Sequence, residues 1–387
     1  MALTRSPNKR DRAWIEISRK NLRHNLEVFR KLLAPRSTPI WVVKANAYGH
    51  GIELVAKEIS RTIRKGRGEW FAVDSIDEAI SLRRAGITSP TIILGYVPLA
   101  RLVELPKLHV RYLVSSAETV RALSKIKGSR GVRVHIKIDT GTTRQGVMPQ
   151  DAVTLANLVR ASGLTFEGVA THFANVEDTD NPTYAHLQLE RFVECVQNLR
   201  NAGFPIPVVH AACSAAAMVY PESLMTAARV GIGLYGIDPS PITARAFRAK
   251  HRGARLVPLL SWRARVALVK LVPKGTPIGY GLTERAERAM RLAIVPIGYA
   301  DGFDRTLSST GTVLIRGKRC PVVGRVCMNM IIVDVTKAHE VRQEDVATLI
   351  GAQGKVAVTA QQSAEAAHTI PYEIVARLAQ HLPRYLV

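Results

Sequence analysis

The chain has 387 residues, of which 47% are hydrophobic and 22% charged, a globular balance that excludes a disordered tail or a charged coiled coil and suits two domains. Lys+Arg total 54 against 31 Asp+Glu, a formal net charge of +23 that makes nucleic acid or an anionic surface the first partner to weigh. Aromatic residues are only 6%, however, too sparse to interleave with cations as a stacking platform, so no nucleic-acid partner is predicted.

Residues 1–12, MALTRSPNKRDR, are basic and run into AWIEIS without the apolar core of a secretion signal. A helical period over Asn21–Leu33 precedes the first of eight β-branched runs: 39–45, 69–75, 90–96, 110–116, 132–139, 166–173, 207–214 and 227–236. Between most of them lie helical periods at 52–63, 75–85, 118–126, 150–162 and 186–202. Gly86, Gly163 and Gly203 stand where the last residue of a helix hands over to a turn. Eight apolar strands alternating with helices predict a (β/α)8 TIM-type barrel. A doubly wound sheet is disfavoured because no GxGxxG follows the first strand. Residues 237–258 carry three prolines and a basic cluster and read as an exposed linker. From Leu259 the sequence is strand-rich with close turns, and two helices near 359–367 and 371–380 follow, predicting a mostly β C-terminal domain. The domains are therefore taken as a basic extension at 1–12, a barrel at 13–245 and the β domain at 246–387. Four cysteines, at 195, 213, 320 and 327, lack CxxC or metal-finger spacing, so reduced thiols and no metal site are expected. No apolar run approaches ~20 residues, which predicts a cytoplasmic chain without a membrane partner.

Lys44 closes the first apolar run. A buried, unpaired ammonium would shed its proton, and a neutral amine can form a Schiff base with an aldehyde cofactor. A strand-end lysine whose head reaches water fits the bare residue equally well. The sequel Ala45-Asn46-Ala47-Tyr48-Gly49-His50-Gly51 predicts an open loop at the strand's C-terminal mouth, where barrels build their sites. By the same logic the loops after strands seven and eight, with Ser214 and Gly231, suit a phosphate. Lys137, Asp139 and Arg144 are compatible with a simple ion network, His172 and His210 with hydrogen-bonded structural histidines, and Tyr280 with an ordinary Gly-Tyr-Gly turn.

Taken together, VVKANAYGHG, IKIDTGTTRQG, THFANVED, HAACSAA, ARVGIGLYG, PIGYGLTER, GYADGFDR, GRVCMNM and HTIPYEIVARL resemble, in order, the motifs of the alanine racemases. The likeness extends from about Ala13 to Arg384. It implies a pyridoxal 5'-phosphate enzyme with an N-terminal barrel and a C-terminal β domain, interconverting L- and D-alanine and supplying D-alanine for peptidoglycan. It implies Lys44 as cofactor lysine and first base, and Tyr280 as second base, delivered across a homodimer. Tyr48, Ser214, Gly231, Ile232 and Tyr372 would hold the cofactor phosphate, Arg144 its phenolic oxygen, and Arg229 its ring nitrogen. His172 and His210 would orient Arg229 and the ring. Met328 and Tyr299 would contact substrate, and Lys137 matches a lysine often carbamylated. Asn329 for aspartate, Thr142-Thr143 for Met-Gly, Cys213 for asparagine and PIGYG for V-S-Y-G depart from the family pattern. These leave open a broader amino-acid racemase acting on serine or basic residues. A decarboxylase on the same scaffold gives Tyr280 no role, and a non-catalytic cofactor-binding barrel gives residues 259–387 none.

Overall fold

The computed structural model describes residues 8–63, 68–178, 180–338 and 340–387. Its contacts divide the chain into two compact units. One comprises Asn21–Ala45 and Val55–Val257; the other comprises the N-terminal segment through Lys20, Asn46–Leu54 and Pro258–Val387.

The chain opens with β1 (Ala13–Ile17), a strand of the second unit. It then lays down β2 (Thr38–Val42), β3 (Trp70–Val73), β4 (Thr91–Ile93), β5 (Arg111–Val114), β6 (Arg133–Lys137), β7 (Thr165–Ala170), β8 (Val208–His210) and β9 (Ala227–Val230). These eight pair in parallel in the order β8-β7-β6-β5-β4-β3-β2-β9, each at a position the sequence predicts. The β8–β9 edge is drawn together by Val209 N donating to Thr226 Oγ1 at 2.7 Å and Arg229 N donating to the Ala212 carbonyl at 3.0 Å. Helices on the outer face explain why these strands are apolar without alternation. The helices begin on side-chain caps where the sequence supplies them: Ser75 and Glu78 form a capping box, and Ser116 accepts from Thr119 N. Gly86, Gly163 and Gly203 follow helices with φ of +81°, +69° and +80°, the left-handed conformation that glycine adopts without a Cβ penalty.

Three expectations are corrected. Residues 237–258 are not a bare linker: Ser240 caps a helix, Pro241–Lys250, by accepting from Thr243 N. Pro241 sits in the first turn, where its missing N–H is no loss, so a residue read as a breaker acts as a starter. The boundary between 245 and 246 moves accordingly, since this helix belongs with the barrel and the β unit resumes at Pro258. Ala13–Ile17 leaves the barrel assignment as well, because β1 pairs antiparallel with Leu260–Arg265 and parallel with Arg384–Leu386. Such pairing over hundreds of residues leaves no local signature. Residues 1–7 of the basic extension lie outside the described residues, while Arg12 donates to the Pro296 carbonyl at 2.7 Å and pairs with buried Asp301 at 2.9 Å.

The β unit carries a seven-stranded sheet. Its main path runs Lys318–Pro321, Thr312–Ile315, Val346–Gln353, Leu260–Arg265, β1 and Arg384–Leu386. A three-stranded sheet (Leu268–Val272, Met290–Val295, Ile331–Asp334) and a two-stranded one (Pro277–Ile278, Glu284–Arg285) complete it. Helices Ala360–Ala366 and Pro371–Ala376 fall where expected, the second shorter than its apolar period. Among the described residues, no helix is long and apolar enough to cross a membrane.

Two glycines separate conformational from steric cost. At Gly86 an added Cβ meets nothing within 4 Å, whereas at Gly49 (φ +78°) it would lie 1.9 Å from the Val375 carbonyl oxygen. Gly86→Ala is expected to cost roughly 1–2 kcal/mol from its backbone conformation alone. Gly49→Ala is expected to cost more, because backbone must move. Paired thermal melts test the order, and equal shifts would contradict it.

Candidate active site

Arg229, on β9, is buried at 6% exposure, and the structure surrounds it with acceptors rather than carboxylates. One guanidinium nitrogen (Nη1) donates to His210 Nδ1 at 2.6 Å and to the His210 carbonyl at 2.9 Å. The other (Nη2) donates its two hydrogens to the Thr171 carbonyl at 2.8 Å and the Ala211 carbonyl at 2.9 Å, one of them shared with His172 Nδ1 at 3.3 Å. Burial lowers its pKa to about 10, which still leaves it charged at neutral pH. His210 and His172 both go the way their neighbour demands. Burial and then the Arg229 charge push His210 well below its ordinary value. Burial, followed by the charges of Arg229, Lys137, Arg144 and Lys44, holds His172 at about 2. Neutral imidazoles can accept; imidazoliums could not.

Four cations therefore converge on one histidine at the C-terminal strand ends. Lys137, the last residue of β6, is buried at 7% exposure, and burial with the charges of Arg229 and Arg144 pulls its pKa well down, against the opposing charge of Asp139. Asp139 shapes the loop that follows. Its Oδ1 accepts from the amides of Gly141, Thr142 and Thr143 at 2.9, 2.8 and 3.1 Å, and its Oδ2 from Arg144 N at 3.1 Å. Burial alone would raise the pKa of this carboxyl, but the four amide donors outweigh it and the net shift is downward. Asp139 is thus a loop former, while the Arg144 side chain stays exposed.

Lys44 corrects its own argument. It is part-exposed, with 38% of its side chain accessible, and its Nζ pairs with Asp74 Oδ1 at 3.1 Å. The buried, deprotonation-prone lysine of the barrel is Lys137. The residues after Lys44 are not an open loop either: Ala45, Asn46, Ala47 and Tyr48 take φ of +51°, +53°, +54° and +51°, a left-handed turn. Within it Gly51 N donates to the Asn46 carbonyl and Ile52 N to Asn46 Oδ1, both at 2.9 Å. Arg384 Nε holds the Gly49 carbonyl at 2.8 Å, and the Tyr48 ring meets that of Tyr372 at 6.3 Å between centroids.

Ser214 is buried after β8, where its Oγ accepts from Gly231 N at 2.8 Å and Gly233 N at 3.3 Å. With both acceptances used, its O–H is free to donate. Ile232 lies buried between the two glycines. A Cβ at Gly233 would come within 2.5 Å of the Phe29 ring, so this amide loop has no room for side chains. A donor hydroxyl in a close-packed loop fits a phosphate once the Gly231 and Gly233 amides, now spent on Ser214 Oγ, turn to it, and a fixed guanidinium fits an acceptor nitrogen. Residues for a pyridoxal phosphate are therefore present.

The remaining predicted residues sit in the β unit. Tyr280 is 72% exposed in a 3-10 turn, Tyr280–Leu282, between the two shortest strands. Gly279 and Gly281 there have φ of +74° and +75°. Arg325 packs against this turn: a Cβ at Gly281 would lie 2.8 Å from its guanidinium. Val272, Ile278, Ala286, Met290 and Leu292 form a small core beneath. Tyr299 and Met328, both largely exposed, are joined by Tyr299 N donating to the Cys327 carbonyl at 3.1 Å and Ala300 N to the Met328 carbonyl at 3.0 Å.

Sequence reading missed Asp74, His135, Glu167 and Thr171. The signal available for His135 was a polar residue amid VRVHIKID, which the strand assignment absorbed.

Comparison with known proteins follows the same division. Residues 17–239 match the N-terminal domain family of alanine racemase and residues 259–386 its C-terminal domain family. An alanine racemase of Leptospira interrogans is 35% identical over 97% of this chain and 96% of its own length. One of Carboxydothermus hydrogenoformans is 38% identical over 97% and 99%. The crystal structure of alanine racemase from Bacillus anthracis, solved with bound L-Ala-P, superposes with a TM-score of 0.90 at 33% identity, covering 99% of this chain and 96% of that one. The enzyme from a D-cycloserine-producing Streptomyces lavendulae gives 0.89 at 31%, with coverage of 99% and 98%.

The depressed histidines set a pH dependence of stability. His172 at about 2, His50 at about 4, and His135 and His210 both lowered stay neutral in the fold, while in the unfolded chain they titrate near 6.5. Below that value the unfolded state binds more protons, so stability is full above pH ~6.5 and falls as pH drops. Glu167, held at about 2, adds a loss only below pH ~4.3. Tm is expected to decline steadily from pH 7 to 4.5 in calorimetry; a flat profile there would contradict the buried neutral histidines.

Proposed function

The chain belongs to the alanine racemase family of isomerases, and from that premise we propose a pyridoxal-phosphate-dependent, two-base interconversion of L- and D-alanine in the cytoplasm, supplying D-alanine for peptidoglycan. The observation that carries this reading is the convergence of Arg229, Lys137, Arg144 and Lys44 on His172, together with the close-packed loop whose amides meet Ser214. Bound pyridoxal phosphate supplies an electron-withdrawing ring that makes the α-proton of an attached amino acid removable.

The chain's own residues do the rest. Ser214 Oγ and the amides of Gly231 and Ile232 would bind the phosphate, Gly231 N exchanging Ser214 Oγ for it, and Tyr48 and Tyr372 would be further phosphate contacts. Arg144 would hold the phenolic oxygen and the substrate side, and His172 would help orient the ring. Arg229 would face the ring nitrogen and, unable to give up its proton, would not protonate it, which would discourage transamination. Lys44 Nζ carries the α-proton on one face. Tyr280 of a second copy carries it on the other, in line with a catalytic tyrosine left 72% exposed in its own subunit. Met328 and Tyr299 of that copy meet the substrate. Lys137, buried and with its pKa lowered by that burial and by the charges of Arg229 and Arg144, is suited to add carbon dioxide and lose a proton, giving a carbamate that would hold Arg144. A labelled carbonyl signal from bicarbonate that disappears in Lys137→Ala would support this modification.

Borohydride treatment of the yellow holoenzyme is expected to fix the cofactor on a peptide containing Lys44, and Lys44→Ala should retain none; a colourless, unlabelled protein would sink the reading. Tyr280→Phe should lower kcat by about 10²- to 10⁴-fold with cofactor affinity little changed; normal turnover would remove it as a base. The exposed Asn329 bears on substrate range. Assays of α-deuterium incorporation should rank alanine above serine, lysine and arginine; the reverse order would favour the broader racemase.

A further inference from the structure

Beyond Arg229, a line of buried polar groups crosses the barrel with no assigned role. His210 Nε2 lies 2.9 Å from His135 Nδ1, and His135 Nε2 lies 3.0 Å from Glu167 Oε2. Both imidazoles are fully buried. Glu167 is clamped from the other side by Arg111, which donates to its two oxygens at 3.0 and 3.2 Å, and by Arg133 at 3.3 Å.

The protons in this line have one arrangement. Arg229 can only donate, so His210 Nδ1 accepts and its Nε2 carries the hydrogen. That hydrogen points at His135 Nδ1, which must accept, so the His135 hydrogen is on Nε2 and donates to Glu167. Starting from the carboxylate gives the same answer. Both ends of the chain enforce a single direction, Arg229 to His210 to His135 to Glu167.

The backbone is built to allow it. On β7, Phe166 pairs with Val134 and Gly168 with His135, leaving Glu167 as the extra residue of a bulge. Bulges of this kind re-aim a side chain. A Cβ at Gly168 would stand 2.9 Å from His135 Nδ1 and 2.3 Å from the Val208 carbonyl, so glycine keeps the path between the two rings clear.

We propose that Glu167, acting through His135 and His210, is a positioning residue that aligns the Arg229 guanidinium. The link to catalysis rests on the reading that Arg229 meets the cofactor ring nitrogen; the proton arrangement itself does not.

Nitrogen NMR of the ¹⁵N-histidine-labelled full chain, with and without pyridoxal phosphate, tests it directly. Both His135 and His210 are expected to show a protonated Nε2 and a bare Nδ1. A protonated Nδ1 on either ring of the unsubstituted protein overturns the proposal without any variant. In Glu167→Gln, Arg111 and Arg133 should claim the amide oxygen and turn the NH2 toward His135. That change should move the His135 hydrogen to Nδ1, against His210. This variant should also lose about tenfold in kcat with KM within about twofold, and shift the visible cofactor band. Glu167→Asp, which keeps the charge, should restore the proton pattern and most of the rate. Unchanged tautomers in Glu167→Gln, or an equal loss in both variants with tautomers intact, reduces Glu167 to packing and overturns the proposal. Correct tautomers in a chain that racemises no amino acid would instead fault the functional reading and leave the positioning chain standing.

Discussion

A guanidinium that cannot discard its proton, buried where water cannot reach it, obliges everything around it to accept. Arg229 imposes that condition on the barrel's interior. Three main-chain carbonyls and two ring nitrogens take its hydrogens, and among the described residues no carboxylate pairs with it. Its neighbours must then stay uncharged, and burial makes them so. Leaving a charge of this kind unpaired costs several kcal/mol, which explains why an unbroken hydrogen-bond line to Glu167 is worth maintaining. The strands that supply it are consecutive, β5 to β9, so the barrel wall and the polar line are one construction.

The two units divide the chemistry unequally. The barrel gathers cations and amides, a setting for anions. The β unit carries tyrosines and methionines that it leaves bare, Tyr280 lying by the small core around Ile278 and Leu292. Against this background most of the +23 surplus is peripheral: Arg245 and Arg248, for example, pair with Asp180 and Asp238 on exposed surface. Net charge counts exposed guanidinia equally with the few that are buried.

Much of the barrel was legible because its information is local. Each β-branched run is a strand, each helical period a helix, and the closing glycines take the left-handed conformation. What escaped was non-local or depended on position within an element. β1 is defined by partners more than two hundred residues away. Pro241 starts a helix because of where it falls in the first turn. In the site, ordered motifs located every barrel residue that meets Arg229 by side chain. They could not reveal that Lys44 would be paired and half in water while Lys137 is the desolvated amine, since burial belongs to the fold. Glu167 was invisible for a subtler reason: alternation assigns it a face, and a one-residue bulge changes that face.

The left-handed turn after Lys44 carries a consequence for how such a protein fails. Four non-glycine residues in that conformation cost roughly 1–2 kcal/mol each. The sum is comparable to the whole net stability of an ordinary domain. Catalytic loops are commonly drawn from the least stable parts of a structure and open on their own. This one cannot persist on its own account, because it is held by Arg384, by Val375 against Gly49, and by its own amides. When those anchors go, the turn springs back to ordinary backbone and the residues following Lys44 lose their course. Loss of this turn and loss of the β unit's C-terminal strand should therefore be a single event.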